Sequence, residues 1–308
     1  MVKLADPATK FTKDSLVSET SPLKESWVPL VSDDERQSYA SVLPFDTHKA
    51  SWTTYTQLDG WFDALHPSQF EKSTHSTVDK TAWTPASYRG QPLWRQTAWV
   101  TLDPNCECDY GYSDTWQNRA TCPTFRRIVQ DITEYVQDAT GQTFNACNLN
   151  YYPTGAGIGW HADDEALWDP FHRPVTIVSL SLCRGPDDGL LAGARRFMIR
   201  CQEYHPGDHP YDVVLKHGDL MTMEGFFQKH YLHSVWPGDG MSPDPLNDPF
   251  VSGERINLTW RTIVRHLDGS PASRGQVCPL SKLQTDESQT KTTEKPTDPV
   301  DNGDEDKR

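Results

Sequence analysis

Hydrophobic and polar positions follow two different periods along this chain. Between Thr124 and Asp138, Phe125, Ile128, Val129, Ile132 and Val136 recur at spacings of three and four. That spacing places one apolar stripe on an α-helix. Pro123 suits the first turn and Gly141 the exit. Shorter β-like runs follow at 144–152, 175–183, 212–215, 220–223 and 255–264, with Gly, Pro and Asp between them. Many short strands with one long helix predict a mainly β barrel or sandwich with flanking helices. The polar stretches 184–193 and 237–253 read as surface loops. There is no internal repeat.

The apolar pattern also predicts boundaries. Trp52, Tyr55, Trp61, Phe62 and Leu65 are the first cluster of large anchors, so the fold is expected to begin near residue 51. Residues 1–50 are polar and read as a loosely held extension. Residues 267–308 contain no aromatic side chain and are rich in Thr, Ser, Pro, Asp and Lys. Such a segment buries too little apolar surface to offset its ordering entropy, which predicts a disordered acidic tail.

Composition sharpens the picture in three places. Of 308 residues only 36% are hydrophobic, yet 11 Trp, 11 Tyr and 11 Phe can fill a core. The net charge is −14, of which −11 belongs to residues 1–266. Acidity of that size argues against a surface built throughout to hold a polyanion. Seven Cys is an odd number at spacings unlike a disulfide framework. A reducing compartment, nucleus or cytoplasm, is therefore expected. No apolar run reaches the length of a membrane span, and Met1 to Lys10 has no secretory apolar region.

The candidate chemistry starts from His-x-Asp. On a strand, such a pair presents both side chains on one face. A further His from another strand completes a facial triad that leaves positions open on Fe(II). The chain contains three such pairs: His161/Asp163, His217/Asp219 and His266/Asp268. With 11 His and 43 acids, chance alone supplies one or two. Context separates them. His266/Asp268 sits where the ordered part runs out. His217-Gly218-Asp219 has a central Gly and reads as a tight turn between strands. His161/Asp163 follows a predicted strand and the Gly-rich bend 155–159, where backbone can approach a site closely.

The second signal is Arg255-Ile256-Asn257-Leu258-Thr259-Trp260-Arg261, a strict alternation of polar and apolar. As a strand it points Arg255, Asn257, Thr259 and Arg261 one way. Either that face is solvated, or two inward Arg meet an anion, because buried guanidinium groups are costly without one. Arg forks grip carboxylates. Asn148, Asn150 and Tyr152 share a face by the same alternation. A 2-keto dicarboxylate chelating iron at one end and held by an Arg at the other would balance the charges of Fe(II) and one Asp.

Taken together, these segments resemble the AlkB family of Fe(II)- and 2-oxoglutarate-dependent dioxygenases over about 92–264. The carrying residues are Thr140-Gly141-Gln142-Thr143-Phe144-Asn145, Asn150-Tyr151-Tyr152, His161-Ala162-Asp163-Asp164-Glu165, His217-Gly218-Asp219, Tyr231-Leu232-His233-Ser234 and Arg255-x-Asn257-Leu258-Thr259-Trp260-Arg261. His-x-Asp-Asp-Glu and Thr-Gly-Gln-Thr-Phe-Asn look closest to the DNA-repair branch, which acts on alkylated bases.

The resemblance implies a double-stranded β-helix, or jelly roll, over about 144–264 inside a domain at 51–266, with a nucleotide-recognition lid at about 92–122. It implies His161, Asp163 and His233 as catalytic iron ligands, and Asn150, Tyr152, Arg255, Asn257 and Arg261 as the 2-oxoglutarate site. Tyr110 and Tyr112 would stack a flipped base, with Asp164 and Glu165 beside it. Fe(II), 2-oxoglutarate and O₂ would then strip N-alkyl groups from bases such as 1-methyladenine or 3-methylcytosine in DNA or RNA. The products would be formaldehyde, succinate and CO₂. A monomer off the membrane is expected.

Against this, the acidity of residues 1–266 favours an oxygenase acting on a protein or small molecule. A non-catalytic reader of methylated nucleic acid has no need for the complete triad and both Arg. Arg126 with Arg127, and Arg195, Arg196 and Arg200, are the basic groups available for phosphates; of these, the group 195–200 is the better candidate. Cys106, Cys108 and Cys122 lack the second close pair of a zinc site and read as reduced thiols. The Trp residues read as packing, with Trp99 and Trp116 the two worth testing as stacking platforms.

Overall fold

The computed structural model describes residues 11–47, 53–70, 82–88, 90–103, 106, 108–112, 115–117, 119–184, 193–203, 209–237 and 252–265. The strands in its first half are β1 (Val28–Asp33), β2 (Ser38–Leu43), β3 (Thr84–Tyr88), β4 (Gln91–Thr101), β5 (Tyr110–Tyr112), β6 (Thr115–Gln117) and β7 (Ala146–Tyr152). Those in the second are β8 (Ile158–His161), β9 (Val175–Arg184), β10 (Arg195–Cys201), β11 (Tyr211–Leu215), β12 (Leu220–Gly225), β13 (Tyr231–Val235) and β14 (Glu254–Arg261). The helices that matter for the site are α1 (Tyr55–Leu65), α2 (Pro123–Thr140) and the single turn α3 (Phe227–His230).

Eight strands form one sheet in the order β1-β2-β12-β9-β14-β7-β4-β3, and four form a second in the order β11-β10-β13-β8. The strand pairs within both are antiparallel. Two apolar clusters explain the layering. One gathers Phe125, Val129, Ile132 and Val136 of α2 and Leu58, Phe62 and Leu65 of α1 onto Leu149, Leu180, Ile256, Leu258 and Trp260. The other fills the space between the sheets with Ile177, Met221 and Met223 from the larger sheet and Phe197, Ile199, Leu215, Tyr231 and Val235 from the smaller. Helices thus cover the outer face of the larger sheet, while its inner face meets the smaller. The result is the expected jelly roll.

The helix stripe is realised: α2 starts on Pro123, and Gly141 ends it in the left-handed conformation at φ 68°. The turn at 217–219 is realised too. Gly218 has φ +86°, and the Asp219 carboxylate accepts from the backbone N–H groups of Phe45 and Lys216 at 2.9 and 2.8 Å.

Two boundaries need correction. Residues 11–47 are part of the fold: β2 pairs along β12 from Ser38↔Gly225 to Leu43↔Leu220, and Val17, Ala40, Leu43 and Phe45 are buried. Small residues buried on both faces of β2 kept its hydrophobicity low, and that concealed it. The segment expected as a lid from residue 92 begins instead as a strand of the larger sheet. β4 pairs with β7 in the larger sheet, so among the described strands only the two-stranded ribbon β5–β6 lies outside the two sheets. The tail 267–308 and most of both predicted loops fall outside the described residues.

Candidate active site

The alternation in β14 separates two environments. Ile256, Leu258 and Trp260 are fully buried against the helices. Arg255, Asn257, Thr259 and Arg261 face a cavity between the sheets, together with Asn148, Asn150 and Tyr152 of β7 and Ser179 of β9. Register explains the grouping: Arg255 lies opposite Tyr152, Asn257 opposite Asn150 and Thr259 opposite Asn148. One face of three neighbouring strands therefore forms a continuous polar wall.

His161, Asp163 and His233 converge at the same cavity, with one ligand atom of each within 4.8 Å of the others. His161 closes β8 directly opposite His233 on β13, and their ring centroids are 4.2 Å apart. Each Nε2 lies 3.9 Å from Asp163 Oδ1. His161 Nδ1–H donates to the Gly159 carbonyl at 2.8 Å, which leaves Nε2 as its lone-pair nitrogen. Gly157 permits this approach of β8 to β13, because a Cβ there would meet the backbone oxygens of Pro237 and Val235 at 1.8 and 2.4 Å.

Burial and the neighbouring imidazole push the His233 pKa down to about 3, so it stays a neutral ligand. Burial alone would raise the Asp163 carboxyl. The Arg261 guanidinium, which donates to Oδ2, outweighs burial and holds it ionised. Two imidazoles and one carboxylate are the donor set of a facial Fe(II) site with open positions.

Arg255 supplies the second half of the argument. It is 1% exposed, and no carboxylate among the described residues pairs with it. Its Nη2 donates to Ser181 Oγ at 3.0 Å and to Asn257 Oδ1 at 2.6 Å, but Nε and Nη1 have no partner. Burial pushes its pKa down. A buried guanidinium with two idle donors in a cavity fits a carboxylate ligand.

The chain matches the sequence profile of the 2OG-Fe(II) oxygenase superfamily over residues 47–261. It belongs to that superfamily. Within it the chain is similar to AlkB proteins. Human alpha-ketoglutarate-dependent dioxygenase alkB homolog 3 is 29% identical over 195 residues, which covers 58% of this chain and 60% of the homologue. Human DNA oxidative demethylase ALKBH2 is 31% identical over 144 residues, covering 44% of this chain and 46% of that protein. The chain thus spans 46–60% of the length of these relatives. The solved structure of OsALKBH1 aligns at a TM-score of 0.40 with 20% identity, over 72% of this chain and 96% of that one.

In this oxygenase several expected substrate contacts look different. The Tyr110 ring stacks with Trp99 at 4.9 Å and with Trp168 at 6.0 Å, and its hydroxyl donates to Glu165. Tyr110 is therefore a wall of the cavity and not an open stacking platform, and Trp99 is packing. The Tyr112 backbone pairs with Thr115, but its side chain and that of Trp116 lie outside the described residues. Asp164 is exposed. Burial raises the Glu165 carboxyl, and the Asp163 charge adds to this.

Arg195 corrects the phosphate-contact expectation outright. It is fully buried and donates to the carbonyls of Pro153, Ala156, Gly193, Ala194 and Gly253. Arg196 pairs with Asp212, Arg200 lies 4.4 Å over the Trp160 ring, and Arg126 donates to the Thr101 and Ala120 carbonyls. The six described cysteines are unbridged.

Sequence reasoning missed Arg95 and Gln117. Both line the cavity and are more than nine-tenths buried, and Arg95 Nη1 donates to Asn150 Oδ1 at 2.9 Å. Arg95 alternates inward on β4 just as Arg255 does on β14. The exposed neighbours Pro92 and Trp94 left its strand without a buried partner face to reveal it.

Proposed function

We propose that this chain is an Fe(II)- and 2-oxoglutarate-dependent dioxygenase that removes alkyl groups from the nitrogens of nucleic acid bases. His161, Asp163 and His233 would hold the ion. Arg255 would take the far carboxylate of 2-oxoglutarate, with Asn150, Tyr152, Asn257 and Arg261 around it. With O₂, the loaded site supplies an oxidation in which one oxygen atom enters succinate as CO₂ leaves, and the other enters the N-alkyl carbon. A hydroxymethyl group on nitrogen then collapses to formaldehyde and the free base.

The protein's own residues prepare this. Burial keeps His233 neutral, Arg261 keeps Asp163 ionised, and Tyr110, hydrogen-bonded to Glu165, forms one wall of the cavity. The observation that carries the reading is the buried Arg255 fork with two idle donors in the same cavity as a preassembled His-Asp-His cluster. The nucleic acid substrate is carried over from the name of the relative called a DNA oxidative demethylase. A location in the nucleus or cytoplasm fits the six unbridged thiols among the described residues.

One observation favours a second substrate class. The net charge of −11 over residues 1–266 is joined by basic side chains already spent on internal contacts, Arg126, Arg195 and Arg196 among them. A protein or small-molecule substrate needs no such cations.

The test is incubation with Fe(II), 2-oxoglutarate and oligonucleotides carrying 1-methyladenine or 3-methylcytosine, as DNA and RNA, single- and double-stranded, read by mass spectrometry. Base repair with matching succinate supports the first reading. Succinate without repair supports the second. Asp163→Ala is expected to abolish turnover of either kind, and full activity in that variant would refute the metal assignment.

A further inference from the structure

Asp163 lies in the irregular bend after β8, 5% exposed, where no sheet ladder is available to its backbone N–H. A buried N–H without an acceptor is costly, so something must meet it. The acceptor is Oε1 of Gln228, at 2.8 Å. Gln228 is itself 2% exposed and sits on α3, the single helical turn that runs directly into β13 and His233. Its Nε2 donates to Met223 Sδ at 3.4 Å, and its backbone carbonyl accepts from Gln202 at 3.4 Å. The carboxamide is therefore fixed at both ends and cannot turn away without breaking a buried contact.

The remaining polar atoms of Asp163 are also claimed. Its carbonyl accepts from Trp168 Nε1 at 2.9 Å, and Oδ2 accepts from Arg261. Oδ1 is the atom left, and it is the one facing both imidazole Nε2 atoms at 3.9 Å. Which oxygen points at the imidazoles is thus decided by three contacts made before any ion arrives.

From these contacts we infer that Gln228 is a positioning residue of the metal site, tying the backbone of Asp163 to the element that delivers His233. It never touches the ion. It acts by holding the carboxylate ligand and the distal imidazole in one frame, although they lie 70 residues apart in the sequence. A neutral carboxamide is the right group for this. A carboxylate would accept the same N–H but place a second anion beside Asp163, while an apolar side chain would leave the N–H orphaned. The inference rests on the metal reading given above.

The experiment compares the wild type with Gln228→Met and Gln228→Glu. Mn(II) binding is followed by electron paramagnetic resonance, and hydrogen exchange at the Asp163 amide is followed in the metal-free proteins. Loss of an outer contact of this kind weakens metal binding by roughly ten- to hundredfold. Gln228→Met is expected to bind Mn(II) that much more weakly and to lose protection at Asp163. Gln228→Glu retains the acceptor, so it keeps the protection and binds within a few-fold of wild type.

A folded Gln228→Met protein that binds Mn(II) as the wild type does, or equal weakening in both variants, would overturn the inference while leaving the metal site standing. A wild type that binds no Mn(II) would sink the metal reading and this inference with it. Should Gln228→Met not fold, the wild type still decides: an Asp163 amide that exchanges as fast as that of the exposed Asp164 refutes the contact.

Discussion

Replacing Arg255 with Met separates the cost of a buried charge from its use. In the metal-free protein the guanidinium has no acid partner among the described residues, and Nε and Nη1 are idle. Removing it relieves that burial but leaves Ser181 Oγ and Asn257 Oδ1 without their donor. Each of these terms is about 1–3 kcal/mol and they oppose one another, so the unliganded stability should move by no more than about 2 kcal/mol. Binding of 2-oxoglutarate should respond far more. Two charge-assisted hydrogen bonds at about 1.5–3 kcal/mol each amount to roughly a hundredfold to ten-thousandfold in Kd. A ligand present at about 100 times its Kd stabilises the fold by about 2.7 kcal/mol. Urea unfolding of both proteins with Mn(II), with and without 2-oxoglutarate, reads both quantities. The wild type should gain that increment and Arg255→Met should gain almost none of it at the same concentration. A variant that keeps the full ligand-induced gain, or that loses more than about 4 kcal/mol without ligand, would show that Arg255 is a structural group and not the anion site.

Two further outcomes follow from buried groups away from the cavity. Glu224 is 1% exposed, accepts from the Val17 N–H at 2.8 Å, and is pushed by burial up to about 7. Its folded pKa exceeds its unfolded value, so the native state holds more protons between about pH 4.5 and 7, and stability falls as pH rises through that window. Glu224→Gln should remove up to about 3 kcal/mol of that decline, seen as a flatter urea midpoint from pH 5 to 8; parallel profiles for both proteins would refute the assignment. Arg195→Met leaves several buried carbonyls without their donor and should cost about 3–5 kcal/mol in chemical unfolding. A loss under about 1 kcal/mol would mean those carbonyls find other partners.

What could be read in advance, and what could not, follows from where each signal resides. The β14 alternation was legible because its two faces meet opposite environments: Ile256, Leu258 and Trp260 pack under helices while Arg255 to Arg261 line a polar cavity. The α2 stripe was legible for the same reason. Choosing His161/Asp163 over His217/Asp219 rested on the Gly between the latter pair and on the predicted strand and Gly-rich bend that precede the former. By contrast, nothing in the neighbourhood of Arg195 shows that it points inward at five carbonyls, so a run of three Arg read as a basic patch. Gln228 and Arg95 were equally silent, because their significance lies in partners tens of residues away. β2 escaped because Ser, Ala and Tyr buried on both faces of a strand look polar on average.

The superfamily profile begins at residue 47, just past the hairpin β1–β2 that flanks β12. A shorter version of the chain cut at that point would strip one long side of β12 of its hydrogen-bond partners. The strand left bare, Leu220–Gly225, is buried throughout its length, and exposed rims of that kind recruit other chains. The N-terminal hairpin thus serves as a selvedge, the woven border that keeps the fabric from unravelling into its neighbours.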